Sequence, residues 1–143
     1  MLTIALIDRF PIVLMGTKLT IKKSLQGVRI LAANDIFSFQ AQNPDCKPDI
    51  FIVGIAREVV VDPFHLIPAI KKVFKCPVIV YDDLPANQIC IKYFSAGASG
   101  YVSKCSPASE LIKCINEIRK NKIYMTIEAL HSMIENIPAG FTY

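Results

Sequence analysis

Five short apolar runs, at residues 2–7, 28–33, 50–55, 78–81 and 98–102, constrain this chain more than any other feature. None of them alternates polar with apolar positions. A strand with one wet face must alternate, so runs like these predict strands covered on both faces, as in a parallel sheet. Four are rich in Val or Ile; the last carries Gly and Ser and is weaker. Segments of helical period lie between them. Ile12, Met15 and Leu19 line one helix face after Pro11, which suits a first helical position. Ala86, Ile89, Cys90, Tyr93 and Phe94 keep the period after Pro85, and Leu111, Cys114, Ile115 and Ile118 keep it again. That last helix has Ser106 as its expected N-cap, Pro107 at its first position and Glu110 near its positive end. Residues 34–44 make a poorer helix. At 62–75, Asp62-Pro63 reads as a helix start, but Pro68 should break or kink it, which leaves 67–75 as the secure part. Strand-helix alternation of this kind predicts a doubly wound α/β domain with right-handed crossovers. Sites in such folds lie beyond the carboxyl ends of the strands, here just after Ile7, Ala33, Val53, Tyr81 and Ser103.

The 143 residues suit one domain, and 52% hydrophobic with 20% charged residues is a globular composition. Mean hydropathy is +0.40. No apolar run approaches the ~18 residues of a membrane span. The start lacks the basic region of a signal peptide, so the expected location is cytoplasmic. The five cysteines, Cys46, Cys76, Cys90, Cys105 and Cys114, are odd in number and form no CxxC pair, and the two histidines are far apart. Free thiols are expected, with neither a zinc site nor a disulfide framework. The net charge of +4 comes from dispersed lysines and makes no basic stripe for nucleic acid. No GxGxxG or GxxxxGK[ST] loop is present, and Gly97 and Gly100 precede a strand, which argues against a nucleotide-binding enzyme. The division expected is 1–121 for the α/β domain and 122–143 for a linker. There Thr126 caps a further helix with Leu130, Met133, Ile134 and Ile137 on its apolar face, ended by Pro138 and Gly140.

The strand ends hold Asp8-Arg9, Gly54, Asp82-Asp83 and Lys104. With Leu6-Ile-Asp-Arg-Phe-Pro-Ile-Val13, Pro48-Asp-Ile-Phe-Ile-Val53, Pro77-Val-Ile-Val80 and above all Ala96-Gly-Ala-Ser-Gly-Tyr-Val-Ser-Lys104, the chain resembles the receiver domain of two-component response regulators. It resembles more narrowly the NarL/FixJ branch, with a LuxR-type helix-turn-helix output. The resemblance covers about residues 2–126, and Lys122-Ile-Tyr-Met-Thr126 is similar to the linker start of that branch. It implies a flavodoxin-like (βα)5 fold with strand order 2-1-3-4-5 and a C-terminal linker helix. It also implies a phosphoacceptor aspartate after the third strand, with Mg²⁺ held by that residue and an acidic pair. A hydroxyl residue and a lysine complete the family's set.

Against that pattern the chain departs at most positions. Asp8 matches the first acid, but Arg9 stands where the second is expected. Gly54 stands at the phosphoacceptor position, Asp82 at the hydroxyl position, and Glu58 where a loop proline is common. Lys104 is kept, and Tyr101 matches the aromatic switch position. A glycine offers no carboxylate to phosphorylate, and Arg9 brings a fixed positive charge to the metal's place. The expected pocket is therefore degenerate: Asp8, Arg9, Gly54, Asp82 and Lys104, with no catalytic residue, no phosphoacceptor, no metal and Mg²⁺ binding lost. Either Asp8 and Asp82 form an ion-pair cluster with Arg9 and Lys104, or Asp8 and Lys104 are relics held by packing and solvent, with Arg9 in water. Tyr101 is either a switch or a packed aromatic.

The expected function is regulatory, not enzymatic: a phosphorylation-independent receiver of a transcriptional regulator. It is expected to dimerise through the fourth helix, fifth strand and fifth helix, near residues 89–93, Tyr101 and residues 111–118. DNA would be bound only by a domain absent from this chain, and no membrane is involved. The alternative is a stand-alone adaptor that binds a kinase or another regulator.

Overall fold

The computed structural model describes residues 1–55, 63–83, 88–125 and 127–135. Glu58, Asp62, Pro85, Ala86, Thr126 and residues 137–143 lie outside them, as do the side chains of Ile89 and Met133. All five apolar runs are strands: β1 (Thr3–Ile7), β2 (Arg29–Ala33), β3 (Ile50–Ile55), β4 (Val78–Asp82) and β5 (Gly100–Ser103). They form one parallel sheet in the order β2-β1-β3-β4-β5. Six helices are described: α1 (Pro11–Ser24), α2 (Ile36–Gln42), α3 (Pro63–Phe74), α4 (Gln88–Ser95), α5 (Ala108–Arg119) and α6 (Ile127–Glu135).

The period of two within each strand sorts its side chains between two cores. Ile4, Leu6, Ile50, Ile52, Ile79 and Val102 pack with Ile21 of α1 and with Leu111, Cys114, Ile115 and Ile118 of α5. Ala5, Ile7, Phe51, Val53, Val78, Val80 and Tyr101 pack on the opposite side with Phe39, Ile67, Ile70, Cys90 and Tyr93 from α2, α3 and α4. This double coverage is why the strands needed no polar alternation. Phe39, Phe51 and Phe74 pack with ring centroids 5.1–5.7 Å apart and anchor the second core.

Several local expectations are corrected. The weak helix at 34–44 forms as α2, because the Asp35 carboxylate caps it by accepting the Ser38 N–H at 2.7 Å. Pro68 lies within a continuous α3. Its ring forfeits one helical hydrogen bond, and complete burial of Ile67 and Ile70 holds the helix in place. Ser106 does not cap α5; Pro107 itself takes the cap position with extended ψ. The stripe Ile12, Met15 and Leu19 on α1 faces outward at 80, 61 and 62% exposure, while Thr17 and Ile21 are buried. All five cysteines are free thiols.

The chain beyond α5 does more than connect. Asn121 takes a left-handed conformation (φ 60°) that turns the chain after the helix. Tyr124 then pairs in parallel with Gly100 on the outer edge of β5. Its N–H donates to Ser99 O at 2.9 Å, and its carbonyl accepts the Tyr101 N–H at 3.4 Å. α6 follows and lies against α4.

Candidate functional site

The register of the sheet decides which strand-end residues meet. Ile7 lies beside Val53, Gly54 beside Tyr81, and Asp82 beside Ser103. Counting by twos, Asp8 continues the face of Ile4 and Leu6, and Gly54 that of Ile50 and Ile52. Tyr81 continues Ile79, and Lys104 continues Val102. All four point to the α1/α5 side. Asp82 continues Val78 and Val80 and points to the α3/α4 side.

On the first side the centre is Asp8, which is 2% exposed. Its Oδ1 accepts the Phe10 N–H at 2.9 Å, a local turn that fixes the carboxylate. Its Oδ2 lies 2.8 Å from Lys104 Nζ. That contact compensates the charge but is poorly aligned as a hydrogen bond, and Oδ2 has no well-directed donor among the described residues. Lys104 also donates from Nζ to Ile55 O at 3.1 Å and from its backbone N–H to Asp82 O at 2.6 Å. Its ammonium stands 5.9 Å from the centre of the Tyr81 ring. One lysine thus ties together the ends of β1, β3, β4 and β5. Burial, and then the negative charge of Asp8, hold the Tyr81 phenol above its ordinary pKa.

Gly54 is what lets Asp8 sit there. A Cβ on residue 54 would lie 2.0 Å from Asp8 Oδ2, 2.6 Å from its Cγ and 2.9 Å from its Cβ. The glycine serves close approach rather than an unusual backbone angle. The Asp8 carboxylate fills the volume that a side chain on residue 54 would otherwise use.

On the other side Asp82 is fully buried, and the Tyr93 hydroxyl of α4 donates to its Oδ2 at 3.0 Å. Tyr93 stacks on Tyr101 at 5.7 Å and packs on Phe64 at 4.9 Å between ring centroids. Tyr101 is 1% exposed. Arg9 is exposed, and its charge is felt by Asp35, whose pKa is lowered chiefly by the Ser38 hydrogen bonds and least by Arg9. The five expected pocket residues therefore separate. Asp8, Gly54 and Lys104 form one unit, Asp82 belongs to an aromatic stack, and Arg9 faces water. Tyr93 was not expected as a site residue; its sequence signal was only that of a core position.

The fit to Mg²⁺ is poor. A hard divalent cation needs several oxygen ligands. Among the described residues no three acidic, histidine or cysteine side chains converge, and the Asp8 carboxylate already faces Lys104.

No protein family model and no curated protein matches the chain. Solved structures do match its fold. One is a LuxR-family two-component response regulator from Aurantimonas sp. SI85-9A1. It has a TM-score of 0.81 and 24% identity, over 93% of this chain and 95% of that one. The apo REC domain of RcsB from Salmonella enterica serovar Typhimurium matches with TM-score 0.79 and 20% identity, over 95% of this chain and all (100%) of that one. A LuxR-family DNA-binding response regulator from Silicibacter pomeroyi matches with TM-score 0.72 and 15% identity, over 90% of this chain and 99% of that one. RcsB has also been solved as dimers bound to DNA. The chain has the flavodoxin-like receiver fold, and no described helix is long and apolar enough to cross a membrane.

Proposed function

We propose that this chain is a receiver-type regulatory domain that works without accepting a phosphoryl group. It serves a LuxR-type transcriptional regulator, as a homodimer through the α4–β5–α5 face. One observation carries the reading: the Asp8 carboxylate, paired with Lys104, occupies the space above Gly54. Phosphoryl transfer to a carboxylate needs that nucleophile placed in line, with cations left over to receive the charge of the phosphoryl oxygens. Here residue 54 has no carboxylate, and the lysine is already engaged by Asp8. The domain is non-enzymatic in this reading, and its conformation is set by the internal pair rather than by a transferred group. DNA contact is assigned to a separate domain, since the lysines of residues 1–143 form no stripe.

The test is a titration with Mg²⁺ and beryllofluoride, followed by amide chemical shifts of Asp8, Gly54 and Lys104. The expected result is no saturable change below the millimolar range. Micromolar binding would overturn the reading.

A second reading, the adaptor, is favoured by α1. Its outward stripe of Ile12, Met15 and Leu19 lies on a helix with three lysines and no acidic residue, a surface suited to an amphipathic partner with an acidic rim.

A further inference from the structure

The outer face of α5 carries a regular charge pattern. Glu110, Lys113, Glu117 and Lys120 follow each other at steps of three, four and three, which places them on one side of the helix. Within the chain they form weak, solvated pairs: Lys113–Glu110 at 3.8 Å and Lys120–Glu117 at 3.6 Å. The order Glu-Lys-Glu-Lys becomes its own complement when a second copy is laid antiparallel about a two-fold axis. Glu110 then faces Lys120 of the other copy, and Lys113 faces Glu117. Such pairs contribute little energy on a surface, but they set partner and register.

The segment after α5 uses the same two acids. The Tyr124 hydroxyl donates to Glu110 Oε2, and Lys122 Nζ lies 3.7 Å from Glu117 Oε2. Tyr124 packs into the α1/α5 core and Met125 into the opposite one, while their backbone covers the edge of β5. Beyond Tyr124 and Met125, the described hold on the segment is α6 lying against α4. Ile123 is 69% exposed, and on α6 Ile127, Leu130 and Ile134 are exposed too.

We propose that residues 122–125, continued by α6, form a releasable strap that competes with a second copy of this chain for Glu110, Glu117 and the edge of β5. With the strap docked, the acids are occupied and the edge is paired. With the strap released, the charge ladder and the edge become available together, and two copies join across the α5 stripe. This inference rests on the homodimer reading above and adds the register of the contact and what controls it.

The test uses the full chain in sedimentation velocity between about 1 and 100 μM. Amide hydrogen exchange at the Tyr101 N–H reports whether the strap is docked. Wild type is expected to be monomeric with that amide protected at the low end of this range, and to dimerise only as the protection is lost. Tyr124→Ala is expected to lose the protection and to dimerise at least about tenfold more tightly. Tyr124→Phe keeps the ring and drops the Glu110 bond; it gives an intermediate affinity and serves if the alanine variant folds poorly. Two further chains test whether the α5 stripe is the contact. One carries Tyr124→Phe with Glu110→Lys and Glu117→Lys; the other carries Tyr124→Phe with Lys113→Glu and Lys120→Glu. Each should remain monomeric alone, and the mixture should form heterodimers. A wild type that is dimeric with the Tyr101 amide protected overturns the strap and leaves the homodimer reading standing. A Tyr124→Ala chain that has lost protection yet stays monomeric overturns both.

Discussion

Adding a single methyl group at Gly54 tests the account of the pocket. In Gly54→Ala the new carbon would fall 2.0 Å from Asp8 Oδ2 and 2.6 Å from its Cγ, far inside van der Waals contact. The third contact, 2.9 Å to Asp8 Cβ, cannot be relieved by rotating the carboxylate, so β1 and β3 must also part slightly. The carboxylate must leave, and leaving breaks its pair with Lys104, whose side chain is 13% exposed. Breaking a buried pair costs roughly 3–5 kcal/mol, while replacing a strand glycine by alanine returns about 0.5–1 kcal/mol. The net loss expected is about 3 kcal/mol. At roughly 3–4 °C per kcal/mol for a chain of this size, Tm falls by about 10 °C. All three close contacts come from the Asp8 side chain, so the double variant Asp8→Gly, Gly54→Asp removes them and offers Lys104 a carboxylate from the opposite strand. It should recover most of the stability that Gly54→Asp alone loses, a coupling of about 2 kcal/mol or more. Thermal and urea unfolding of the two single variants, the swap and wild type close the cycle. The reasoning is refuted if Gly54→Ala unfolds within about 0.5 kcal/mol of wild type, the ordinary range for a harmless substitution. Equal effects of the residue 54 substitutions with and without the Asp8 side chain would refute it too.

Four further outcomes are expected. Lys104→Met leaves the Asp8 carboxylate buried without a cation and should cost roughly 3 kcal/mol in urea unfolding. Asp8→Ala should cost less, because Lys104 retains some access to water. Tyr93→Phe keeps the stack on Tyr101 but drops the donor to Asp82, for a loss of about 1.5–3 kcal/mol in the same assay. Alkaline titration should show late-ionising tyrosines. Burial, and then the Glu110 bond, raise the Tyr124 phenol, and burial raises Tyr81. A raised phenol keeps its proton in the native state while the unfolded chain releases it. This contribution to stability is therefore whole below about pH 10 and is lost as pH rises through the native value. Phenolate absorbance at those two residues should appear with unfolding, and Tyr124→Phe should flatten the alkaline loss.

The sheet was legible because burial on both faces removes polar alternation, and that signal survives in each run from residue 2 to residue 102. Helix existence was less legible where one local contact decides it. Asp35 and Ser38 carried the cap signal for α2, but its periodic segment is too short to register. Periodicity also cannot say which stripe of a helix turns inward. On α1 the buried stripe includes Thr17, whereas Ile12, Met15 and Leu19 form the more apolar one and face out. At the site, the expected pocket held Asp82 together with Asp8, Gly54 and Lys104; the alternation of side chains along the strands, which that grouping left out, sends Asp82 to the other face. Nothing in the order of residues revealed that Tyr93 of α4 would reach Asp82, because that contact depends on how α4 packs on the sheet. The segment 122–125 read as a connector; its role depends on lying beside Gly100, more than twenty residues away in sequence.

The covered edge of β5 also sets a limit on assembly. An unpaired strand edge is a reactive end, and a sheet ordinarily has two of them. Here Tyr124 pairs with Gly100 at the start of one, and among the described residues nothing pairs beyond β2 at the other. A unit with one reactive end is monovalent: edge pairing can join two such molecules and then stops. A unit with both ends open is bivalent and can grow into a filament. While docked, the few residues after α5 therefore block part of that end and leave edge-to-edge pairing of this sheet to its β2 side.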